Sequence, residues 1–229
     1  MRPDRWRVAL FPLTLGGALL SGSMAEGSTR WTDPAPVIFR LTPASRFEVR
    51  TGKAGLFGFA GHNHLVRARS VSGWVAYPNR NPTASRLEVV IPAESLEVLT
   101  PNDTAEVRKV TETMRTQVLR VGEYPEIRFS ATVAGATATG FRLDGRLSLV
   151  GQTRKVPVAA TVHISGDTLR ADGTFSVKQT DFGIKPVRAG PGGTVKVADK
   201  LQFTFAAVAV RDPSAAIDST GTPVARGGQ

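Results

Sequence analysis

The chain has 229 residues, of which 41% are hydrophobic and 21% are charged, a composition typical of a globular protein rather than of a disordered chain, a coiled coil or a polytopic membrane protein. It contains no cysteine, which excludes disulfides, iron–sulfur clusters, thiolate zinc sites and cysteine nucleophiles. The net charge is +10, but the basic residues are spread along the chain without a dense run or interleaved aromatic residues, so we predict no nucleic-acid binding.

The first 25 residues have the features of a Sec signal peptide. Three arginines within residues 1–7 precede an uncharged stretch over residues 8–20, and the small residues Ser23 and Ala25 occupy the positions that a signal peptidase recognises. The uncharged stretch is shorter than the roughly 18 residues that a membrane-spanning helix needs, although an uncleaved anchor is the alternative. We therefore predict cleavage after Ala25 and a periplasmic or secreted protein.

Between a polar segment at residues 26–35 and a small-residue segment at 211–229, apolar and polar residues alternate with a period of two. We expect the first segment to be flexible and the second to be a disordered tail, with one domain over residues 36–210. About eight half-buried strands are predicted, separated by turn signals at Pro78-Asn79, Ala134-Gly135, Asp144-Gly145, Gly151, Gly166-Asp167, Asp172-Gly173 and Pro191-Gly192-Gly193. This pattern indicates an antiparallel sandwich or barrel.

One segment has helical rather than strand periodicity. Apolar residues recur at helical spacing from Asp103 to Val121, and Asp103 followed by Glu106 is typical of a helix start. Gly122 and Pro125 end the pattern. We predict an amphipathic helix whose apolar stripe faces the core and covers an end or edge of the sheet.

Several segments, in this order along the chain, resemble the YceI-like family of periplasmic lipid-binding or polyisoprenoid-binding proteins. They are Gly61-His62-Asn63-His64-Leu65-Val66, Ser72-Gly73-Trp74-Val75, Met114 to Leu119, Tyr124 to Phe129, Gly145 to Gly151 with Thr153-Arg154, and Phe175 to Ile184. The resemblance covers about residues 36–210. It implies an all-β fold, an antiparallel lipocalin-like β-barrel of about eight strands with one amphipathic α-helix. It also implies an elongated interior cavity that takes an isoprenoid chain.

Apolar residues on shared faces are candidates for the cavity wall. Phe57 and Phe59 flank a glycine on one strand face, and Phe182 and Ile184 follow Thr180-Asp181. An eight-stranded barrel has room for one small ligand if its interior is not filled, although such residues are equally consistent with an ordinary core. The predicted ligand-binding residues are Phe57, Phe59, His62, His64, Met114, Val118, Phe129, Phe182 and Ile184.

The pair His62 and His64 departs from the family pattern, in which one histidine is typical at this place. Alternation along a strand puts both side chains on one face, which suggests a metal pair, but two ligands do not make a site. The third histidine, His163, is expected on the outside of the barrel. Structural or mouth-lining roles, hydrogen bonding to a ligand head group and metal binding remain open, and we predict no resident metal or cofactor.

No sequence motif of an enzyme is present. There is no Gly-x-Ser-x-Gly elbow and no phosphate loop, and Asp181-Phe182-Gly183 lacks the other kinase motifs. We therefore predict a non-enzymatic carrier of an isoprenoid lipid or quinone, with transient contact with a membrane or membrane proteins; the oligomeric state is left open. The alternatives are a metal-dependent enzyme or metal carrier using His62 and His64, and a structural protein whose cavity is vestigial.

Overall fold

Strands dominate the computed structural model, which describes residues 34–54, 63–99, 104–189, 192, 195–218 and 220–225. The predicted signal peptide at residues 1–25 and nearly all of the predicted flexible segment at 26–35 lie outside these residues. The strands are β1 Val37–Leu41, β2 Arg46–Ala54, β3 His64–Ala68, β4 Ser72–Tyr77, β5 Arg86–Pro92, β6 Leu96–Val98, β7 Glu126–Ala136, β8 Gly140–Leu149, β9 Gln152–Ser165, β10 Thr168–Lys178, β11 Arg188–Ala189, β12 Val195–Arg211, β13 Ala215–Ile217 and β14 Pro223–Ala225.

The sheet closes into an eight-stranded antiparallel barrel. Three of its eight wall strands consist of two segments each: β1 with β2, β3 with β4, and β5 with β6. In the first set of pairings, β4 lies between β1 and β5, and in the second set, β3 lies between β2 and β6. The wall then continues in chain order through β7, β8, β9, β10 and β12. β12 closes the ring by pairing with both β1 and β2. The predicted fold class is therefore confirmed.

The period-two pattern places apolar side chains inside the barrel and polar side chains outside. On β8 the inward residues Leu143, Leu147 and Leu149 are buried, and on β9 so are Val156 and Val158. The residues between them on β8 and β9 are mostly exposed. Because one face of each strand is removed from water, a shift of register by one residue would expose the whole apolar set. His163 is exposed on β9, as predicted.

Three of the predicted turns lie within strands instead. Ala134-Gly135 falls in β7, where the pairing with β8 is irregular between Val133 and Gly135. Asp144-Gly145 and Asp172-Gly173 lie in the middle of β8 and β10. Their glycines face the barrel interior, where they make room for aromatic rings, and this tertiary contact overrides the local turn preference.

The predicted helix forms and covers one end of the barrel. The helix α1, Thr104–Thr113, continues into a π-helical turn at Met114–Val118; Asp103 lies outside the described residues. The apolar stripe packs against the main core, as predicted, through Val107, Val110, Met114, Val118 and Val121. No helix of the described residues has the length and apolar character needed to span a membrane. We call this end of the barrel, with the turn Val150–Gly151 and the segment 179–189, the helix end.

The prediction of a disordered tail at 211–229 is wrong for much of that segment. β13 and β14 form a hairpin, in which Ala215 pairs with Ala225 and Ile217 with Pro223. Ala215 and Ile217 pack against Ile38 and Ala76 on the outside of the barrel, and Asp212 accepts a hydrogen bond from Arg40 at 3.1 Å. The sequence signal was weak because small residues, rather than large apolar ones, cover this patch.

Candidate functional site

The barrel interior contains a cavity of about 240 Å³. It extends from the helix end, where Met114, Val118 and Ile184 line it, toward the opposite end, where Tyr77, Phe141 and Leu169 line it. We call that opposite end, which carries the turns between β4 and β5, β7 and β8, and β9 and β10, the far end. The cavity therefore lies inside the barrel rather than on its outer surface.

Aromatic rings form the middle of the cavity wall. Phe175 stacks on Phe203 with ring centroids 4.8 Å apart and an interplanar angle of 4°, and Phe129 stacks on Phe175 at 6.0 Å. Phe47 and Phe205 form a second stacked pair at 6.2 Å. All five rings line the cavity, so a ligand there would contact two groups of stacked aromatic rings.

Two strand glycines make this arrangement possible. A Cβ atom at Gly145 would lie 2.6 Å from Cε2 and Cζ of Phe129, and one at Gly173 would lie 2.6 Å from Cζ of Phe205. Non-bonded carbon atoms prefer separations of about 3.5–4.0 Å, so any side chain at either position would displace the ring. The glycines therefore hold Phe129 and Phe205 flat against the wall and leave the centre of the barrel open.

A tight turn at the helix end separates the roles of Phe182 and Ile184. Gly183 has a φ of 73° and ends the short 3-10 helix Gln179–Phe182, and Ile184 donates its N–H to the carbonyl of Gln179. The left-handed conformation suits glycine because it lacks a Cβ. The side chain of Phe182 is 1% exposed and is not part of the cavity wall, whereas Ile184 lines the cavity. The prediction that Phe182 lines the cavity is corrected: the turn directs it into solid core.

This turn is also held by polar groups. Gln179 is buried and lines the cavity, and its Nε2 donates to the carbonyl of Ala198 at 2.8 Å. Asp199 accepts hydrogen bonds from the backbone N–H and the hydroxyl of Thr180, and these bonds lower the pKa of Asp199. The carboxylate therefore remains ionised at neutral pH and fixes the turn that presents Gln179 and Ile184 to the cavity.

The cavity presents no uncompensated charge among the described residues. Glu48 is the one carboxylate or basic residue that lines it in that part of the chain, and its Oε1 accepts hydrogen bonds from Nε and Nη2 of Arg67 at 2.9 and 2.7 Å. Burying a charged ligand group without a partner would be costly. The portion of a ligand inside the barrel should therefore be neutral and apolar.

The remaining predicted site residues are placed as follows. Phe129, Met114, Val118 and Ile184 line the cavity. His64 begins β3, is half-buried and does not line the cavity. Its backbone N–H donates a hydrogen bond to the hydroxyl of Thr51, and Thr51 lines the cavity. Phe57, Phe59 and His62 lie outside the described residues. Within the described ranges, no three His, Asp or Glu side chains are grouped as a metal site would require.

Sequence reasoning missed several residues of the wall. Phe47, Phe175, Phe203 and Phe205 follow the period-two pattern, which marks them as inward-facing but does not say whether they fill the interior or surround a space. The alanines Ala171 and Ala207 were also missed. They lie opposite each other on β10 and β12 and leave room because their side chains are short. Small inward residues beside an aromatic run are the signal that could have indicated a vacancy.

Comparison with known proteins agrees with this architecture. The crystal structure of BcnA from Burkholderia cenocepacia has a TM-score of 0.56 at 19% identity, over 73% of this chain and 98% of that one. A polyisoprenoid binding domain from Saccharophagus degradans, implicated in plant cell wall breakdown, has a TM-score of 0.57 at 15% identity, over 77% and 99% of the two chains. At these identities the likeness shows the fold.

The comparison of sequences is more specific. No curated protein sequence is detectably similar to this chain. The family model for the YceI-like domain, however, matches residues 44–209, which include every strand from β2 to β11 and most of β12. The match covers well over half of the chain, and with the closed barrel described above it shows that the chain belongs to the YceI-like domain family.

Proposed function

We propose that this protein binds a long neutral lipid, an isoprenoid chain or the tail of a prenyl quinone, in the barrel interior and carries it through the periplasm without chemical conversion. The observation that carries the proposal is the interior cavity of about 240 Å³ with its aromatic and aliphatic wall. An apolar cavity of about 150 Å³ is already enough to stay dry and bind benzene. A larger, elongated one suits a flexible hydrocarbon chain.

Physical chemistry supports a loose specificity. Removing apolar surface from water is favourable by about 25 cal/mol per Å², so a hydrocarbon chain needs few polar contacts to bind. Met114 at the helix end adds an adaptable side chain, because an unbranched thioether can adjust to an irregular ligand. An isoprenoid is the first choice among apolar chains because a fold relative is described as a polyisoprenoid binding domain.

Extraction of the purified protein tests the proposal. Protein expressed with its full sequence and purified from the periplasm without detergent should yield, in organic extracts examined by mass spectrometry, a prenyl lipid in an amount comparable to that of the protein. A heat-denatured and washed sample of the same protein is the control for lipid carried along by chance. If the folded protein yields no lipid, and takes up none from vesicles containing a prenyl quinone, the proposal fails.

The cellular location is part of this proposal. The basic residues near the start, the uncharged stretch 8–20 and the small residues Ser23 and Ala25 support export and cleavage. The intact mass of exported protein should correspond to a chain that begins at Glu26. Exported protein that retained residues 1–25, or protein found entirely in the membrane fraction, would contradict a periplasmic carrier.

A further inference from the structure

Four basic residues lie at one level across four neighbouring strands of the barrel wall. Arg146 on β8 is directly opposite Lys155 on β9, and Lys178 on β10 is directly opposite Lys200 on β12. Ala159 on β9 is paired with Thr174 on β10. Lys155 and Lys178 are each four residues from this pair, toward the helix end, so they lie at the same level on the two strands. With neighbouring strands about 4.8 Å apart, these four residues, here called the basic row, extend over about 15 Å.

The basic row is exposed and forms no direct ion pair within the described part of the chain; the nearby carboxylate of Asp199 interacts electrostatically with Lys178. All four residues are exposed, and none forms an ion pair within 4.0 Å with another described residue. Like charges directly opposite each other on a sheet are destabilising. The same arrangement recurs at the helix end, where Arg188 on β11 is opposite Lys196 on β12. The fold thus retains three repulsive pairs on one side of the barrel.

We propose that the basic row docks the barrel on the surface of an anionic lipid bilayer. A row of about 15 Å is too long for one head group and matches several that lie side by side in a plane. Lysine and arginine side chains near an anionic membrane surface each add to the attraction. The row lies toward the helix end of the wall. A lipid carrier must reach a bilayer to exchange its lipid, and this reason for docking rests on the proposed function. The docking itself does not depend on it.

Vesicle sedimentation tests this inference directly. The full mature chain should sediment with vesicles of phosphatidylcholine containing phosphatidylglycerol, should not do so with phosphatidylcholine alone, and should be released by raised salt, because exposed charges are screened. The variant Lys155→Glu/Lys200→Glu should bind anionic vesicles at least tenfold more weakly. Each new carboxylate lies opposite Arg146 or Lys178, and Lys178 is kept beside Asp199, so the melting temperature should stay the same or rise.

A control with the same change of net charge separates the row from overall charge. Arg80 and Arg170 are exposed toward the far end of the barrel, and neither forms an ion pair with another described residue. Arg80→Glu/Arg170→Glu should therefore keep vesicle binding within about twofold of the wild type. Equal loss in both variants would reduce the effect to net charge and overturn the proposal. Equal binding of wild type and row variant would also overturn it.

Further outcomes distinguish this surface from the cavity and from other partners. Lipid extracted from the row variant should equal that from the wild type. If the wild type sediments with anionic vesicles but contains no lipid, only the carrier function is contradicted. If the wild type contains lipid but does not sediment with anionic vesicles, only the membrane surface is contradicted. If the row variant loses binding to polyglutamate while its vesicle binding is unchanged, the row belongs to an acidic protein partner and the bilayer proposal is overturned.

Discussion

Replacing Phe182 by alanine should lower the free energy of unfolding by about 3–5 kcal/mol, because it leaves a cavity in a fully packed site. The side chain is 1% exposed and belongs to the main core cluster. A domain with a total stability of about 5–15 kcal/mol loses much of its margin through such a change. Urea-induced unfolding followed by circular dichroism, on lipid-free protein, measures the effect.

Two variants make this result specific to burial. Phe182→Leu keeps most of the volume and should cost less than about 1.5 kcal/mol, and Asp181→Ala, at an exposed neighbouring position, should change stability by no more than about 0.5 kcal/mol. If Phe182→Ala instead keeps the stability of the wild type but releases the lipid, the residue acts as part of the binding wall. That outcome would contradict its placement in solid core.

Filling the barrel should have the opposite signature, loss of ligand without loss of stability. Ala171 and Ala207 lie opposite each other on β10 and β12, and both line the cavity. The double variant Ala171→Leu/Ala207→Leu places two isobutyl groups in the vacant space, and we expect bound lipid to fall at least tenfold. The melting temperature should be unchanged or higher, since filling a cavity adds favourable contacts. Extraction with mass spectrometry and a thermal melt measure the two quantities.

An outward alanine supplies the matched control. Ala159 on β9 is exposed, so Ala159→Leu adds the same group on the outside and should keep the full lipid load. The smaller change Ala171→Val/Ala207→Val covers the case in which the leucines do not fit. If either folded double variant retains the wild-type amount of lipid, the ligand does not occupy this part of the barrel, and the assignment of the cavity as the binding site is wrong.

The sequence was most informative for features that depend on a single strand or helix. Alternation identified the inward faces of β8, β9 and β12, and the stripe from Val107 to Val121 identified the helix. Both follow from geometry within a single element, which needs no knowledge of the neighbours. Alternation alone could not distinguish a barrel from a sandwich, and the family resemblance was needed to predict the barrel.

The parts that were not predicted depend on contacts between elements. Asp144-Gly145 has the composition of a turn, yet Gly145 lies within a strand because the ring of Phe129 needs its space. Phe182 and Ile184 are two residues apart, but Gly183 turns the chain between them, so one enters the core and the other the cavity. The hairpin at the C-terminus forms because it covers Ile38 and Ala76, which are far away in sequence.

The position of β12 has a consequence for how this protein acquires its structure. β12 contributes the pairings with β10, β2 and β1, and its last residue, Arg211, is opposite Phe39, 172 residues earlier. The barrel therefore cannot close until nearly the whole chain is available, and the contacts that close it are among the most distant in sequence. Contacts of this kind slow folding, and unpaired strand edges invite association while they last. A newly made chain would thus keep its sheet open, and the period in which a chaperone is most useful ends only when Val195–Arg211 inserts between its three partner strands.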